Sequence, residues 1–313
     1  MVSVTIWGDT ELSRLFFAIL TVWLVVTVTF FLLRLIPGDA LSAQLDLGGA
    51  SPQEIAQARA EMGLDAPPFT QYIRYLGGLL RGDLGYSLIR LIPVSDLIAG
   101  RIIPTALLAT ISTFFAVALG IGTGILATTR RFWGFIGRGI IALSLSMPLY
   151  WTGTLAIIIN AGTLPYSGVD DWRAWILPIF VLGFAGMGSI SRITYANIQA
   201  IKNMPFVMVA RSKGLRPNIV MRRHILRVAL LPVLPAISTQ FGFLLGGAVI
   251  TESLFVRAGL GKLLLDSVIA QDYPVVQGLV TLSAIIIVSL SFITDTLTHL
   301  IDPRLRWTHH NYL

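Results

Sequence analysis

The chain has 313 residues, of which 55% are hydrophobic and 12% are charged, and its formal net charge is +7. The apolar residues lie in long blocks, which predicts burial in a bilayer and excludes an ordinary soluble domain. The basic excess lies in short connectors without a recognition motif, so it does not indicate nucleic-acid binding, and the lack of cysteine excludes disulfides and thiolate metal sites.

Six uncharged windows are long enough to cross a hydrocarbon core of about 30 Å. The first begins at Leu15 without the pattern of a cleaved signal peptide, so it predicts a retained anchor. The third is too long for one span, and a turn at Pro165–Gly168 is predicted to end it. The windows are Leu15–Leu33, Thr105–Thr129, Gly139–Val169, Ala174–Ser191, Val228–Thr251 and Tyr273–Thr294.

Several glycine and proline residues lie within these predicted spans. The glycines at 120, 122 and 124 superficially resemble a nucleotide fingerprint, but they lack a preceding strand and a helix N-terminus to receive phosphate. We therefore interpret them, and those at 183, 186 and 188, as small residues that let helices approach closely. Pro148 and Pro178 are predicted to kink the third and fourth spans.

The distribution of Lys and Arg predicts that both termini are cytoplasmic. In that orientation the segments 1–14, 129–138, 192–227 and 295–313 hold fourteen of the 23 basic residues, against three in the two short external loops. The predicted division is a cytoplasmic N-terminus (1–14), a first helix (15–36), an external loop (37–104), a core with five helices (105–300) and a cytoplasmic C-terminus (301–313). The external loop is expected to be folded, because Ser51 to Glu54 has the pattern of a helix N-cap.

The cytoplasmic connector from Arg192 to Arg227 contains eight Lys and Arg and no acidic residue. Within it, Pro205 and Gly214 predict the start and the end of a short helix. Ala210 and Gly214 are four residues apart, so they are expected to share a face. A small-residue face flanked by Arg211 and Lys213 would suit insertion into a groove on a partner protein.

The order of residues in this connector resembles the inner-membrane permeases of ABC importers, in the dipeptide, oligopeptide and nickel group. In that family an E-A-A-x3-G motif precedes the penultimate span; Ala210 and Gly214 match it, whereas Met208 and Val209 replace the glutamate and the first alanine. Further segments similar to the group are Leu35–Asp39, Gly63–Asp65, Gly82–Ser87, Ala210–Leu215, Arg222–Arg227, Leu244–Ala248, Glu252, Gly259–Gly261, Asp272–Gly278 and Asp302–Arg304.

The resemblance implies an all-α membrane protein with six transmembrane helices, a type I ABC importer permease fold and a folded external loop. It implies that the coupling segment 204–227 docks on a separate ATPase subunit. The implied coupling residues are Pro205, Phe206, Ala210, Arg211, Lys213, Gly214, Leu215 and His224.

The resemblance also implies partners and a location. They are a second permease subunit, one or two cytoplasmic ATPase subunits that bind ATP and Mg²⁺, and an external solute-binding protein, in a bacterial or archaeal plasma membrane. The chain itself is expected to bind no cofactor and no metal and to be no enzyme. Its nearest approach to a Walker A motif, at Gly259, lacks the upstream glycine and the Ser or Thr after the lysine.

Ionisable residues beside the spans are candidates for a gate or pathway. Glu252 could line an external gate or remain hydrated at the interface, and Arg192 could be a pathway residue or an anchor. Asp295 is expected to pair with a cytoplasmic arginine. His224 is expected to form hydrogen bonds, and the adjacent His309 and His310 lack the spacing of a helical metal pair.

Several functions remain open from the sequence. The predicted solutes are dipeptides or oligopeptides, with nickel or another small solute as the alternative. A remote alternative is an intramembrane enzyme, which would need a catalytic constellation at membrane depth; the serines of the spans, such as Ser144 and Ser191, have no evident histidine or acidic partner there. A channel that works without ATP is the third possibility.

Overall fold

A computed structural model describes residues 11–36, 40–129, 132–160, 162–165 and 171–301. In this part of the chain the secondary structure is helical, apart from one isolated bridge between Tyr86 and Pro93, which confirms the all-α prediction. The helices before the coupling segment are α1 (Glu11–Leu35), α2 (Ala40–Leu47), α3 (Pro52–Glu61), α4 (Pro68–Leu79), α5 (Val94–Ala127), α6 (Phe132–Ser146), α7 (Leu149–Asn160) and α8 (Ile176–Ile201). Those from the coupling segment onward are α9 (Pro205–Ser212), α10 (Pro217–Ile219), α11 (Leu226–Ala229), α12 (Val233–Leu254), α13 (Leu260–Ile269) and α14 (Tyr273–Ile301).

Some predictions fall outside these described residues. They concern the turn residues 166–168, residues 37–39 of the family-like segment Leu35–Asp39, the segment Asp302–Arg304, and the pair His309 and His310. The side chain of Asp295 is also outside the described part of the chain.

Among the described residues, five helical segments are long and apolar enough to cross a membrane, namely those within α1, α5, α8, α12 and α14. A sixth span results if α6 and α7 count as one, with a bend of 110° between them. The bend lies at Met147 and Pro148, where a kink was predicted, because proline cannot continue the hydrogen-bond ladder of the preceding helix. The six predicted spans therefore correspond to five helices and one bent pair.

The helices extend beyond the predicted windows because a charged residue ends an uncharged window without ending a helix. The helix α5 begins at Val94, eleven residues before the predicted window, and passes through Pro104. In the same way α8 continues past Arg192 to Ile201. The predicted kink at Pro178 is wrong, because Pro178 is the third residue of α8. N–H groups in the first turn of a helix have no acceptor within that helix, so a proline fits there without breaking a hydrogen bond.

The described residues within 1–103 and 262–293 form the first of two compact units. Within its described residues Ser51 caps α3, with the Glu54 N–H donating to Ser51 Oγ at 3.3 Å and the Ser51 N–H donating to Glu54 Oε2 at 2.7 Å. This reciprocal pair confirms the predicted N-cap and shows that this part of the connector is folded. Distant parts of the chain also meet here, since the Leu88 N–H donates to Asp272 at 3.0 Å and Tyr75 shares a 3.0 Å hydrogen bond with Thr281.

The described residues within 104–261 and 294–313 form the second unit, in which α8 packs against α6, α7 and α12. Its glycines permit close approach. A Cβ atom at Gly183 would lie 3.1 Å from the Ser112 carbonyl oxygen, and one at Gly188 would lie 2.6 Å from Ser144 Oγ. On α5, a Cβ at Gly120 would lie 2.8 Å from Ile190. These contacts confirm the packing interpretation for Gly120, Gly183 and Gly188, whereas the interpretation is wrong for Gly122, where no atom lies within 4 Å of a Cβ.

Replacing Gly124 with leucine is expected to destabilise the protein by about 1–3 kcal/mol or more, because overpacking displaces a neighbouring helix. A Cβ at Gly124 would lie 2.7 Å from Thr194 Cβ and 2.9 Å from the Ser191 carbonyl oxygen. Gly122→Leu is the matched control, since no atom lies within 4 Å of a Cβ at that position. The fraction that stays monodisperse in size-exclusion chromatography after heating in detergent measures the effect. Equal losses for both variants would contradict this account.

Candidate coupling surface

The helix α9 forms between two backbone signals in the connector 192–227. Pro205 occupies its first turn after Met204, whose extended backbone (φ −70°, ψ 150°) serves as the N-cap. At the other end Lys213 caps the helix, and Gly214 adopts φ +75°, a left-handed conformation that glycine reaches without steric cost. The predicted start and end of this helix are both confirmed.

One face of α9 is anchored in a buried apolar cluster of the second unit. Val207 is 0% exposed and Ala210 is 5% exposed. They belong to one core cluster with Ile198 and Ile201 from the end of α8 and with Val220, Ile225 and Ala229. The end of α8 is further tied to α11 by a 3.2 Å hydrogen bond from Asn197 Nδ2 to the Ala229 carbonyl oxygen. The helix therefore sits on a packed base that is continuous with α8.

This arrangement corrects the predicted small-residue face. Ala210 is buried inside the chain, whereas Gly214 lies exposed beyond the last turn of α9. The two residues therefore do not present a common surface to a partner. Ala210 instead provides the close packing that holds α9 on its base.

The free face of α9 is formed by larger apolar residues. Phe206, Met208 and Val209 are exposed, and Val209 shows 54% of its surface. Arg211 and Lys213 are also exposed. An apolar row bordered by cations suits burial against a partner with an apolar groove and an acidic rim.

The sequence interpretation included Phe206 but missed Met208 and Val209, because these two were considered only as departures from a motif. The signal was present in the helical spacing. Once Val207 and Ala210 face inward, the residues between them must face outward.

The remainder of the connector is more tightly built than a loop. A π-helical segment at Val220–Ile225 joins α10 to α11. His224 is half-buried within it, while Arg222 and Arg223 are exposed. Leu215 is exposed directly after Gly214. The predicted coupling residues are therefore exposed, apart from the buried Ala210 and the half-buried His224.

The two candidate pathway residues have different surroundings. Arg192 is exposed on α8, nine residues before its end. Glu252 is 1% exposed in the last turn of α12. Its carboxylate accepts hydrogen bonds from Thr105 Oγ1 at 2.6 Å and from the Gly261 N–H at 2.8 Å. Glu252 thus binds the turn that follows α12 and is enclosed by its own chain.

Gly259 and Gly261 explain how this enclosure is possible. A Cβ at Gly259 would lie 2.0 Å from Glu252 Cδ, and one at Gly261 would lie 2.4 Å from Val249 Cα. The Leu260 N–H donates to Thr105 Oγ1 at 2.8 Å, which extends the network. Burial lowers the pKa of the adjacent Arg257, and the Glu252 carboxylate opposes that shift. We call Thr105, Glu252 and residues 257–261 the Glu252 clasp.

Comparison with known families identifies the chain over nearly all its length. The family described as "binding-protein-dependent transport system inner membrane component" matches residues 116–307, and the N-terminal family of the same systems matches residues 11–109. The glutathione transport system permease protein GsiC of Salmonella paratyphi A is 36% identical over 302 residues, covering 95% of this chain and 98% of that protein. GsiC of Escherichia coli K12 is 35% identical with the same coverage.

Solved structures show the same fold at lower identity. A methionine ABC transporter in an inward-facing conformation aligns with a TM-score of 0.58 and 18% identity, over 66% of this chain and 97% of that one. An amino acid ABC transporter with histidines aligns with a TM-score of 0.52 and 20% identity, over 67% and 94%. The protein is therefore a multi-pass transporter subunit and not an enzyme. It belongs to the family of binding-protein-dependent ABC importer permeases of the inner membrane.

Proposed function

We propose that this permease forms half of a translocation pathway for dipeptides or oligopeptides, including glutathione-like peptides, with a second permease subunit forming the other half. ATP and Mg²⁺ would be bound by one or two cytoplasmic ATPase subunits, and an external binding protein would deliver the solute. The observation that carries the coupling role is α9, with an exposed apolar row on one side and a packed base on the other. Nickel or another small solute is the alternative cargo.

Similarity to GsiC supports a peptide-like solute, because glutathione is itself a small peptide and the two chains align over almost their whole lengths. In the proposed orientation both termini are cytoplasmic, which puts α9 on the ATPase side and the connector 37–104 outside. The positive charge of segment 192–227 supports this orientation.

Coupling would depend on the rigidity of the second unit. A force applied to the exposed row of α9 reaches the end of α8 through Val207, Ala210 and Ile201. From α8 it reaches α5 at the close contacts of Gly120 and Gly124. Because protein interiors are close-packed, displacement of α9 would move these helices rather than be absorbed between them.

Reconstituted transport tests the proposed solute. The permease, its partner permease, the ATPase subunits and the binding protein would be placed in proteoliposomes, and uptake of labelled alanyl-alanine, a pentapeptide, glutathione and Ni²⁺ would be measured with and without ATP. We expect ATP-dependent uptake of at least one peptide and none of Ni²⁺. Uptake of Ni²⁺ alone would contradict the peptide assignment, and uptake without ATP would contradict coupled import.

A further inference from the structure

A polar cavity of about 350 Å³ lies within the first unit, a volume in the range of small-ligand pockets. Its wall includes Arg34 at the end of α1, Ala66 and Gln71 from the connector, and Gln277 from α14. All of these residues belong to the same compact unit. In the proposed orientation the cavity lies at the outer side of the membrane.

Arg34 contributes a cation with only neutral partners among the residues that the structure describes. Its Nε and Nη2 donate to Gln71 Oε1 at 3.0 and 2.8 Å, and its Nη1 donates to the Phe30 carbonyl oxygen at 3.0 Å. The guanidinium carbon lies 3.3 Å from the centroid of the Phe30 ring. A second N–H remains on each terminal nitrogen, and two adjacent donors of this kind match the two oxygens of a carboxylate.

Gln277 provides a second, independent indication of a ligand. It is 5% exposed, and its Nε2 has no hydrogen-bond partner in the described part of the chain. A buried amide nitrogen without a partner costs free energy, which a ligand acceptor would recover. Arg34 and Gln277 both line this cavity.

The acidic residues in this part of the fold have other partners. Asp83, which lines an adjoining pocket with Arg34 and Gln277, accepts a 2.8 Å hydrogen bond from the Gly85 N–H. Asp65 forms a 2.9 Å ion pair with Arg59, whose side chain also lines the cavity. The buried Asp272 accepts hydrogen bonds from Ser87 Oγ and from the Leu88 N–H. The Arg34 charge is therefore not neutralised by these groups, and the cavity favours an anion.

We propose that this cavity binds the carboxylate of a small organic solute, with Arg34 holding the two oxygens and Gln277 donating a further hydrogen bond. A planar, two-oxygen anion fits the guanidinium better than a spherical anion does. The proposal deepens the proposed function, because every unmodified peptide ends in a carboxylate, and its physiological ligand rests on that function.

Because the chain has no cysteine, a single thiol can report on the cavity. Ala66→Cys puts the thiol on the cavity wall in the reconstituted complex. The reaction rates of an anionic sulfonatoethyl and a cationic trimethylammonioethyl methanethiosulfonate would be compared. We expect the anionic reagent to be favoured by about tenfold more than at an exposed control, Gln57→Cys on α3, because a focused positive potential concentrates anions. No difference from that control would overturn the proposal.

Substitutions then assign the effect to the two donors. Arg34→Gln should remove the preference for the anionic reagent. Arg34→Lys should keep that preference, but a carboxylate solute should no longer protect the cysteine from modification, since lysine lacks the paired N–H groups. If Arg34→Gln fails to fold, Gln277→Glu serves in its place. A carboxylate on the cavity wall would repel the carboxylate of the ligand and should therefore also abolish protection of the cysteine. A preference unchanged in Arg34→Gln or protection unchanged in Gln277→Glu would refute the assignment.

Protection by defined solutes identifies the ligand. Alanyl-alanine should slow modification of the cysteine severalfold, whereas its C-terminal amide, which lacks the anionic group, should not. Equal protection by the amide, or protection by phosphate alone, would overturn the carboxylate assignment. Protection without peptide uptake would refute only the proposed cargo, and uptake without protection would refute only this site.

Discussion

Replacing Val209 with aspartate is expected to lower ATP-driven uptake by well over tenfold while leaving the amount of folded permease unchanged. Val209 is 54% exposed on the free face of α9, so a carboxylate there is hydrated in the isolated subunit. Docking on an ATPase subunit would bury that carboxylate without a partner, which typically costs about 2–5 kcal/mol in binding. Uptake in proteoliposomes and co-purification of the ATPase subunit measure the two consequences.

Val207→Asp is the matched control, because Val207 lies two residues away on the same helix and is 0% exposed. Its carboxylate would enter the apolar cluster with Ile198 and Ile201. We expect little folded protein, as burial of an unpaired charge is strongly destabilising. If Val209→Asp also prevented folding, or if it left uptake and co-purification intact, the assignment of the docking face would be wrong.

Glu252→Ala is expected to destabilise the permease by about 3 kcal/mol or more, because it leaves buried groups of the Glu252 clasp without their acceptor. Thr105 Oγ1 loses a hydrogen bond of 2.6 Å, and the Gly261 N–H loses one of 2.8 Å. Arg257, which is 4% exposed, loses the nearby negative charge that opposes its desolvation. The midpoint of thermal unfolding in detergent measures the loss.

Glu252→Gln separates the shape of this residue from its charge. Glutamine fills the same volume and can still accept from Thr105, so about half of the loss should be recovered. A gate role would predict a different pattern, in which both variants remain stable and alter only uptake. Wild-type stability of Glu252→Ala would therefore contradict the Glu252 clasp and favour a pathway residue.

The spans and the coupling helix were predictable because each depends on strong local signals. Uncharged blocks located the spans, and Pro205 and Gly214 bounded α9 correctly, since proline and glycine act on the backbone itself. The capping pattern of Ser51 and Glu54 was equally local. The full extent of α5 could not be predicted from the sequence. Its first turns contain the charged residues Asp96 and Arg101, which interrupt an uncharged window, and they also contain Pro104.

The surroundings of single side chains depended on tertiary packing and were harder to predict. A four-residue spacing suggested that Ala210 and Gly214 form one face, but packing on α8 turned Ala210 inward and the helix ended before Gly214. The burial of Glu252 depends on Thr105, which is 147 residues earlier in the chain. The cavity beside Arg34 likewise requires Gln277 from α14, and no local pattern links these positions.

The composition of the first unit has a consequence for biosynthesis. Its N-terminal helices leave the ribosome long before α14, yet Tyr75 and Leu88 bond to Thr281 and Asp272. Until translation passes residue 281, these groups must wait in contact with lipid, water or a chaperone. A premature stop before α14 would therefore leave these groups permanently without their partners.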